Sequence, residues 1–92
     1  MDITYDDNKN DRNIAERDLD FNRAVDFDFE SAITKVDDRN EYGETRILSL
    51  GYLDNRLHVL CYVNTDTGFR IISFRKANQR EVKYYEKVKA TN

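Results

Sequence analysis

Three short polar links constrain this chain more than any other feature. "EYGE", "LDNR" and "TDTG" separate four runs rich in β-branched, aromatic and aliphatic residues: "SAITKVDDR" (31–39), "TRILSLGYL" (45–53), "RLHVLCYVN" (56–64) and "FRIISFRK" (69–76). A parallel crossover needs roughly a dozen residues or more, so strands joined by links this short pair as antiparallel neighbours. The expectation is a four-stranded meander. In its third strand Leu57, Val59, Cys61 and Val63 share one face, and His58, Leu60 and Tyr62 share the other. Cys61 then reads as a small core residue, and His58 as a surface or partly buried histidine. In the fourth strand the same alternation sends Arg70, Ile72, Phe74 and Lys76 one way and Ile71, Ser73 and Arg75 the other.

Helical spacing flanks the meander. After a possible short strand at 2–5, "DDNKNDRNIAERD" (6–18) reads as a helix capped by Asp7, with Ile14 and Ala15 as its only clear apolar contacts. "DFNRAVDFDF" (20–29) reads as a second helix capped by Asp20, with Phe21, Ala24, Val25 and Phe29 on a core-facing stripe. At the C-terminal end Asn78 and Glu81 have the spacing of a capping box. There Val82, Tyr85 and Val88 form one stripe, and Arg80, Lys83 and Lys87 form a cationic one. The expected class is α+β: two N-terminal helices, a curved antiparallel sheet of about four strands and a C-terminal helix. With 92 residues and no Pro/Gly/Ser-rich linker, the chain is expected to be one domain, 1–92, with a thin core.

Composition narrows the chemistry. One cysteine gives no disulfide framework and no cysteine-based metal site, and one histidine without a carboxylate or cysteine cluster supplies no metal ligand set. The opening "MDITYDDNKN" has neither the basic start nor the apolar run of a signal peptide. No stretch approaches the ~20 apolar residues of a membrane span. A cytoplasmic protein without membrane contact is therefore expected. The charge is unevenly spread. Residues 69–89 hold seven basic side chains against two acidic ones, in a chain whose net charge is −3. Such asymmetry suits a local anion-binding surface, although a solvated basic helix gives the same count. Arginine forks fit phosphate oxygens bidentately, and a nearby Tyr62, Tyr84 or Tyr85 could stack a base. A hydrolase built from these residue types would need neither metal nor cofactor. It would use the RNA 2′-hydroxyl as nucleophile and arginines against the charge building on phosphorus. On spacing alone, plain binding ranks above cleavage.

Three segments resemble one family. "RIISFRKANQREVKYYE" is similar to the C-terminal signature of the BrnT toxins, small proteins with a RelE-like fold. "YDDNKNDRN" is similar to that family's opening, and "EYGETRILSLG" to its central strand with Tyr-Gly-Glu, an Arg and a closing Gly. The matches keep their order from about Tyr5 to Glu86. The resemblance implies the toxin of a type II toxin–antitoxin system, an endoribonuclease that inhibits translation. It also implies a cognate BrnA-like antitoxin whose ribbon-helix-helix domain binds operator DNA, the toxin meeting that DNA only through its partner. Carried over by position, Arg46, Arg75 and Arg80 are the expected catalytic residues. Glu44 is a possible base, or equally a partner of Arg46. Arg70, Lys76, Lys83, Lys87, Tyr62 and Tyr84 are the expected RNA-binding residues. The chain departs from the family in two places. It has Glu16-Arg17-Asp18 where the family has Lys-His-Gly, and Val63 and Thr65 where the family has a Thr and an Arg. A relative that keeps partner binding but has lost cleavage is therefore the alternative. An unrelated small nucleic-acid or protein-binding module is a third reading.

Overall fold

The computed structural model describes residues 2–91. The chain runs β1 (Asp2–Tyr5), α1 (Asp7–Arg17), a 3-10 helix (Phe21–Asp26), β2 (Ile33–Val36), β3 (Ile47–Leu53), β4 (Arg56–Asn64), β5 (Gly68–Lys76) and α2 (Gln79–Ala90). The strands form one sheet in the order β1-β5-β4-β3-β2. The meander from β2 to β5 is antiparallel, as the short links require. The tightest link, Asp54-Asn55, has both residues at positive φ, 51° and 63°. That is the two-residue hairpin geometry that matches strand twist.

Two features correct the expected architecture. The sheet has five strands rather than four and is mixed, because β1 pairs in parallel with β5, from Asp2↔Gly68 to Tyr5↔Ile71. This contact is close: a Cβ on Gly68 would lie 2.0 Å from the Asp2 carbonyl oxygen, so only glycine fits there. The second N-terminal helix is 3-10 rather than α. Its buried residues, Phe21 and Ala24, are followed by buried Phe27, all three apart, while Val25 is 60% exposed. Side chains at i and i+3 eclipse in a 3-10 helix, so a period of three buries this set and turns Val25 outward.

The sheet has a core on each face. On one, the 3-10 helix and Phe27 pack against Leu53, Leu60, Tyr62, Ile71 and Phe74. Gly51 lets the 27–32 segment approach, since a Cβ there would come within 2.8 Å of the Phe27 ring. On the other face α2 lays Tyr85 and Val82 over Leu57, Val59, Ile33, Leu48 and Leu50. The capping box predicted for α2 is present: Asn78 Oδ1 accepts from the Glu81 amide and Glu81 Oε1 accepts from the Asn78 amide, both at 2.8 Å.

α1 docks differently from expectation. Its N-cap is Asp6 rather than Asp7, and its buried residues are Asn10 and Asn13, whereas Ile14 is 40% exposed. The reason lies at the sheet edge. The β1 ladder ends at Tyr5↔Ile71, so the β5 backbone beyond it has no strand to pair with. Asn13 Nδ2 donates to the Phe74 carbonyl at 3.0 Å and to the Leu19 carbonyl at 2.9 Å. Asn10 Oδ1 accepts from the Phe21 amide at 2.8 Å. Amide side chains thus finish the edge that β1 leaves open. The helix ends on Asp18 at φ 53°, its amide donating to the Ile14 carbonyl. An aspartate tolerates this left-handed position, which favours glycine or asparagine.

Candidate nucleic-acid interface

The α2 side of the sheet carries most of the positive charge, and a bulge decides which arginines reach it. Between β4 and β5 the pairing shifts from Cys61↔Ser73 to Tyr62↔Ile71, so Ile72 is an extra residue in β5. Beyond the bulge the alternation flips. Ile71 and Phe74 both face the 3-10 helix, and Arg70 pairs with Val63 on the α2 side, where Ser73 and Arg75 also lie. Strict alternation had placed Arg70 opposite Arg75. The bulge corrects that and aligns the two on one face, with Arg46 in step with Leu48 and Leu50.

Between α2 and strands β2 and β3 this face opens as a groove of about 530 Å3. Its floor is Ile33, Leu48, Leu50 and Val59, and its walls are Lys35, Arg39, Arg75, Arg80, Glu81 and Tyr84. Arg75 forms a two-pronged pair with Glu81, Nη1–Oε1 and Nη2–Oε2 each at 2.9 Å. That pairing raises the arginine pKa and, as its largest cause, lowers that of Glu81. Arg80 is exposed and, among the described residues, has no carboxylate partner within 4.0 Å. Tyr84, 54% exposed, also lines the groove.

Further along the face lies a second charged assembly. Glu44 accepts from Arg70 Nη2 at 2.6 and 2.7 Å and from Arg46 Nε at 3.1 Å. The Arg70 and Arg46 guanidiniums hold its carboxyl below the usual range. Glu44 thus pairs with both Arg46 and Arg70. The Arg46 guanidinium also sits 4.1 Å from the Tyr42 ring centroid. Between the two assemblies, Asp37 is buried and binds Arg39 Nε at 2.7 Å, Arg39 Nη2 at 2.8 Å and the Tyr42 hydroxyl at 3.0 Å. The Arg39 hydrogen bonds drive its pKa far below the carboxylate norm.

The remaining expected residues scatter. Tyr62 is buried, its hydroxyl 3.2 Å from Ser49 Oγ and its ring edge-on to Phe29, so it cannot stack a base. Lys83 and Lys87 are exposed, as the helical stripes predicted, but do not line the groove. Lys76 points to the opposite face, because its partner His58 faces the 3-10 helix side. There it lines a second cavity of about 810 Å3 at the end of the sheet. Arg17, Asp18, Arg56, His58 and Arg75 also line it. Arg75 reaches both openings by curling around the strand end, Nη1 lying 3.3 Å from the Lys76 carbonyl oxygen. His58 corrects its sequence reading: it is 4% exposed, beneath the sheet end against Phe74.

Sequence reasoning missed Lys35, Arg39, Asp37 and Tyr42. The signal for Lys35 was present, since it alternates with Ile33 on a strand. That for Arg39 was not, because only the loop after β2 folds it back over the sheet. Among the described residues no group of three or more His, Cys, Asp or Glu side chains is placed to hold a metal, and no helix is long and apolar enough to cross a membrane.

The fold is similar to that of a solved ribonuclease toxin. The crystal structure of the Brucella abortus ribonuclease toxin BrnT superposes with a TM-score of 0.62 at 26% identity, over 86% of this chain and 99% of that one. The family model described as "ribonuclease toxin, BrnT, of type II toxin-antitoxin system" matches residues 5–81, and the chain belongs to that family. Among curated proteins, none matches the sequence.

Proposed function

We propose that this protein is a metal-independent endoribonuclease, the toxin of a type II pair. It acts in the cytoplasm and is held inactive by a BrnA-like ribbon-helix-helix antitoxin that alone contacts operator DNA. The carrying observation is the groove beside α2, where Arg39, Arg75, Arg80 and Lys35 converge around an apolar floor next to an exposed tyrosine. In this reading Arg80 and Lys35 hold the RNA backbone, Tyr84 stacks a base and Arg75 meets the scissile phosphate. Glu81 keeps the Arg75 fork aimed along the groove. Arg46 and Arg70, tied to Glu44, present a second cationic edge for the same strand. The 2′-hydroxyl of the substrate serves as nucleophile.

One observation favours the alternative of a partner-binding relative without cleavage: Arg46, Arg70 and Arg75 each already have a carboxylate partner. Inducible expression in a bacterium separates the readings, following growth and RNA integrity together for wild type, Arg75→Ala and Arg80→Ala. Wild-type arrest with fragmented RNA, lost in both variants, supports the enzyme. Normal growth with intact RNA for a soluble, folded wild type removes it and leaves the groove as a docking surface.

A further inference from the structure

The cavity at the sheet end contains a buried titratable group with one nitrogen unused. His58 is the chain's only histidine. Its Nδ1 lies 2.7 Å from the Arg56 carbonyl oxygen. A carbonyl only accepts, so Nδ1 carries the proton and the Nε2 lone pair is free. Among the described residues no sealed side-chain nitrogen or oxygen lacks a partner and Nε2 has none, so Nε2 is not sealed, and the ring lines the cavity. Phe74, its ring centroid 5.6 Å away, backs the imidazole.

The surroundings suit a base poised beside an anion. From β4 comes Arg56, from β5 Lys76, from the end of α1 Arg17 with Glu16 and Asp18, from the hairpin turn Asp54, and from the 3-10 helix Arg23. Arg23 is committed to Asp26 and Asp54, and Arg17 to Asn13, which leaves Arg56 and Lys76 without carboxylate partners among the described residues. Burial, only partly offset by the hydrogen bond to the Arg56 carbonyl and reinforced by the Lys76 and Arg56 charges, pushes the histidine below its ordinary pKa. Arg75 stands at the boundary between this cavity and the α2 groove.

We propose that His58 is the general base of the cleavage reaction, Nε2 taking the 2′-hydroxyl proton of a ribose seated at the sheet end. The inference rests on the ribonuclease reading above. RNA lies in the α2 groove and passes over Arg75, which holds the scissile phosphate, while Lys76 and Arg56 hold the next phosphate in the cavity. As the proton moves to Nε2, the 2′ oxygen bonds to phosphorus and the bond from phosphorus to the 5′ oxygen breaks. The departing oxygen takes a proton from water, and the imidazolium returns its proton to the hydroxide so formed. The products are a 2′,3′-cyclic phosphate and a 5′-hydroxyl, with no oxidant or metal consumed.

The test uses purified protein and a labelled RNA oligonucleotide, comparing wild type, His58→Gln and Arg75→Ala in cleavage, binding and thermal melting. General-base contributions run to about 10²–10⁴-fold. The expected result for His58→Gln is a loss of that size with RNA affinity within about twofold. The wild-type rate should rise with pH along a limb whose apparent pKa lies below 6.5, and that limb should vanish in the variant. Nitrogen NMR of the sole imidazole in the wild type gives a second reading that does not depend on how the variant packs. Nε2 should shift on binding an RNA that keeps the 2′-hydroxyl but carries a methylene in place of the 5′ oxygen at the cleavage position, so that it cannot be cut. A His58→Gln protein that cleaves at the wild-type rate while Arg75→Ala does not, or an Nε2 signal indifferent to bound RNA, overturns the role of His58 alone. A folded wild type that cuts no RNA at any pH overturns this inference and the ribonuclease reading together.

Discussion

Asn13→Ala isolates the unusual way α1 is attached. The amide makes two buried hydrogen bonds, to the Leu19 and Phe74 carbonyls, and accepts a third from Arg17 Nη1 at 3.0 Å. Each intramolecular bond contributes about 0.5–1.5 kcal/mol, and a buried partner left unpaired costs about 1–3 kcal/mol. Two carbonyls lose their donor, and the Arg17 bond is partly exposed, so the expected loss is about 2–4 kcal/mol. For a chain of this size that lowers the melting temperature by roughly 8–32 °C, at about 4–8 °C per kcal/mol. Ile14→Ala is the internal control: its side chain is 40% exposed, and its loss should stay under about 1 kcal/mol. Thermal and urea melts followed by circular dichroism measure both. An Asn13→Ala protein within about 0.5 kcal/mol of wild type, or an Ile14→Ala loss exceeding it, would refute the claim that amides rather than apolar side chains hold this helix.

Other outcomes follow from the same geometry. Tyr85→Ala should cost about 3–5 kcal/mol, because the ring is buried and its hydroxyl donates to the Ser31 carbonyl at 3.1 Å, whereas Tyr84→Ala should leave the melt unchanged and weaken RNA binding. Lys83→Glu should fold normally and reduce RNA affinity less than Arg80→Glu in the same salt, since only Arg80 lines the groove. Asp18→Gly should stabilise by roughly 1 kcal/mol in a thermal melt, by relieving the left-handed backbone at φ 53°. Stability should fall with acid in two stages. His58 has a depressed pKa in the folded state, so stability present above its unfolded value near 6.5 is lost as pH falls below it. The carboxyls of Asp37, Glu44 and Glu81, also depressed, add a second loss as pH falls below their unfolded values of 3.8 and 4.5. Urea midpoints measured across pH should show both stages, with the first absent in His58→Gln.

The readings that succeeded depend on near neighbours in the chain. Link length dictated the antiparallel meander, the Asn78–Glu81 spacing wrote its own capping box, and a period of 3.6 residues separated Tyr85 from the Arg80 ridge of α2. Such features carry their cause within a few residues. The family membership was legible for a related reason, in ordered motifs along the chain.

What tertiary structure alone decided has causes far apart in sequence. Ile72 becomes a bulge only in the pairing of β5 with β4, residues distant along the chain. That single extra residue turns Arg70 onto the face of Arg75. Tyr62 and His58 read alike on an alternating strand. One is sealed beneath Phe29 and Ser49, while the other lines the cavity at the sheet end beside the last turn of α1. Likewise composition counts charges but not partners, and the pairs Arg75–Glu81 and Arg70–Glu44 exist only once the strand ends are brought together. By itself the sequence determined the antiparallel meander, the α2 capping box and the faces of α2, because those follow from local periodicity. The fold decided which charges meet and which nitrogen stays free, because burial and pairing are properties of distant residues brought into contact.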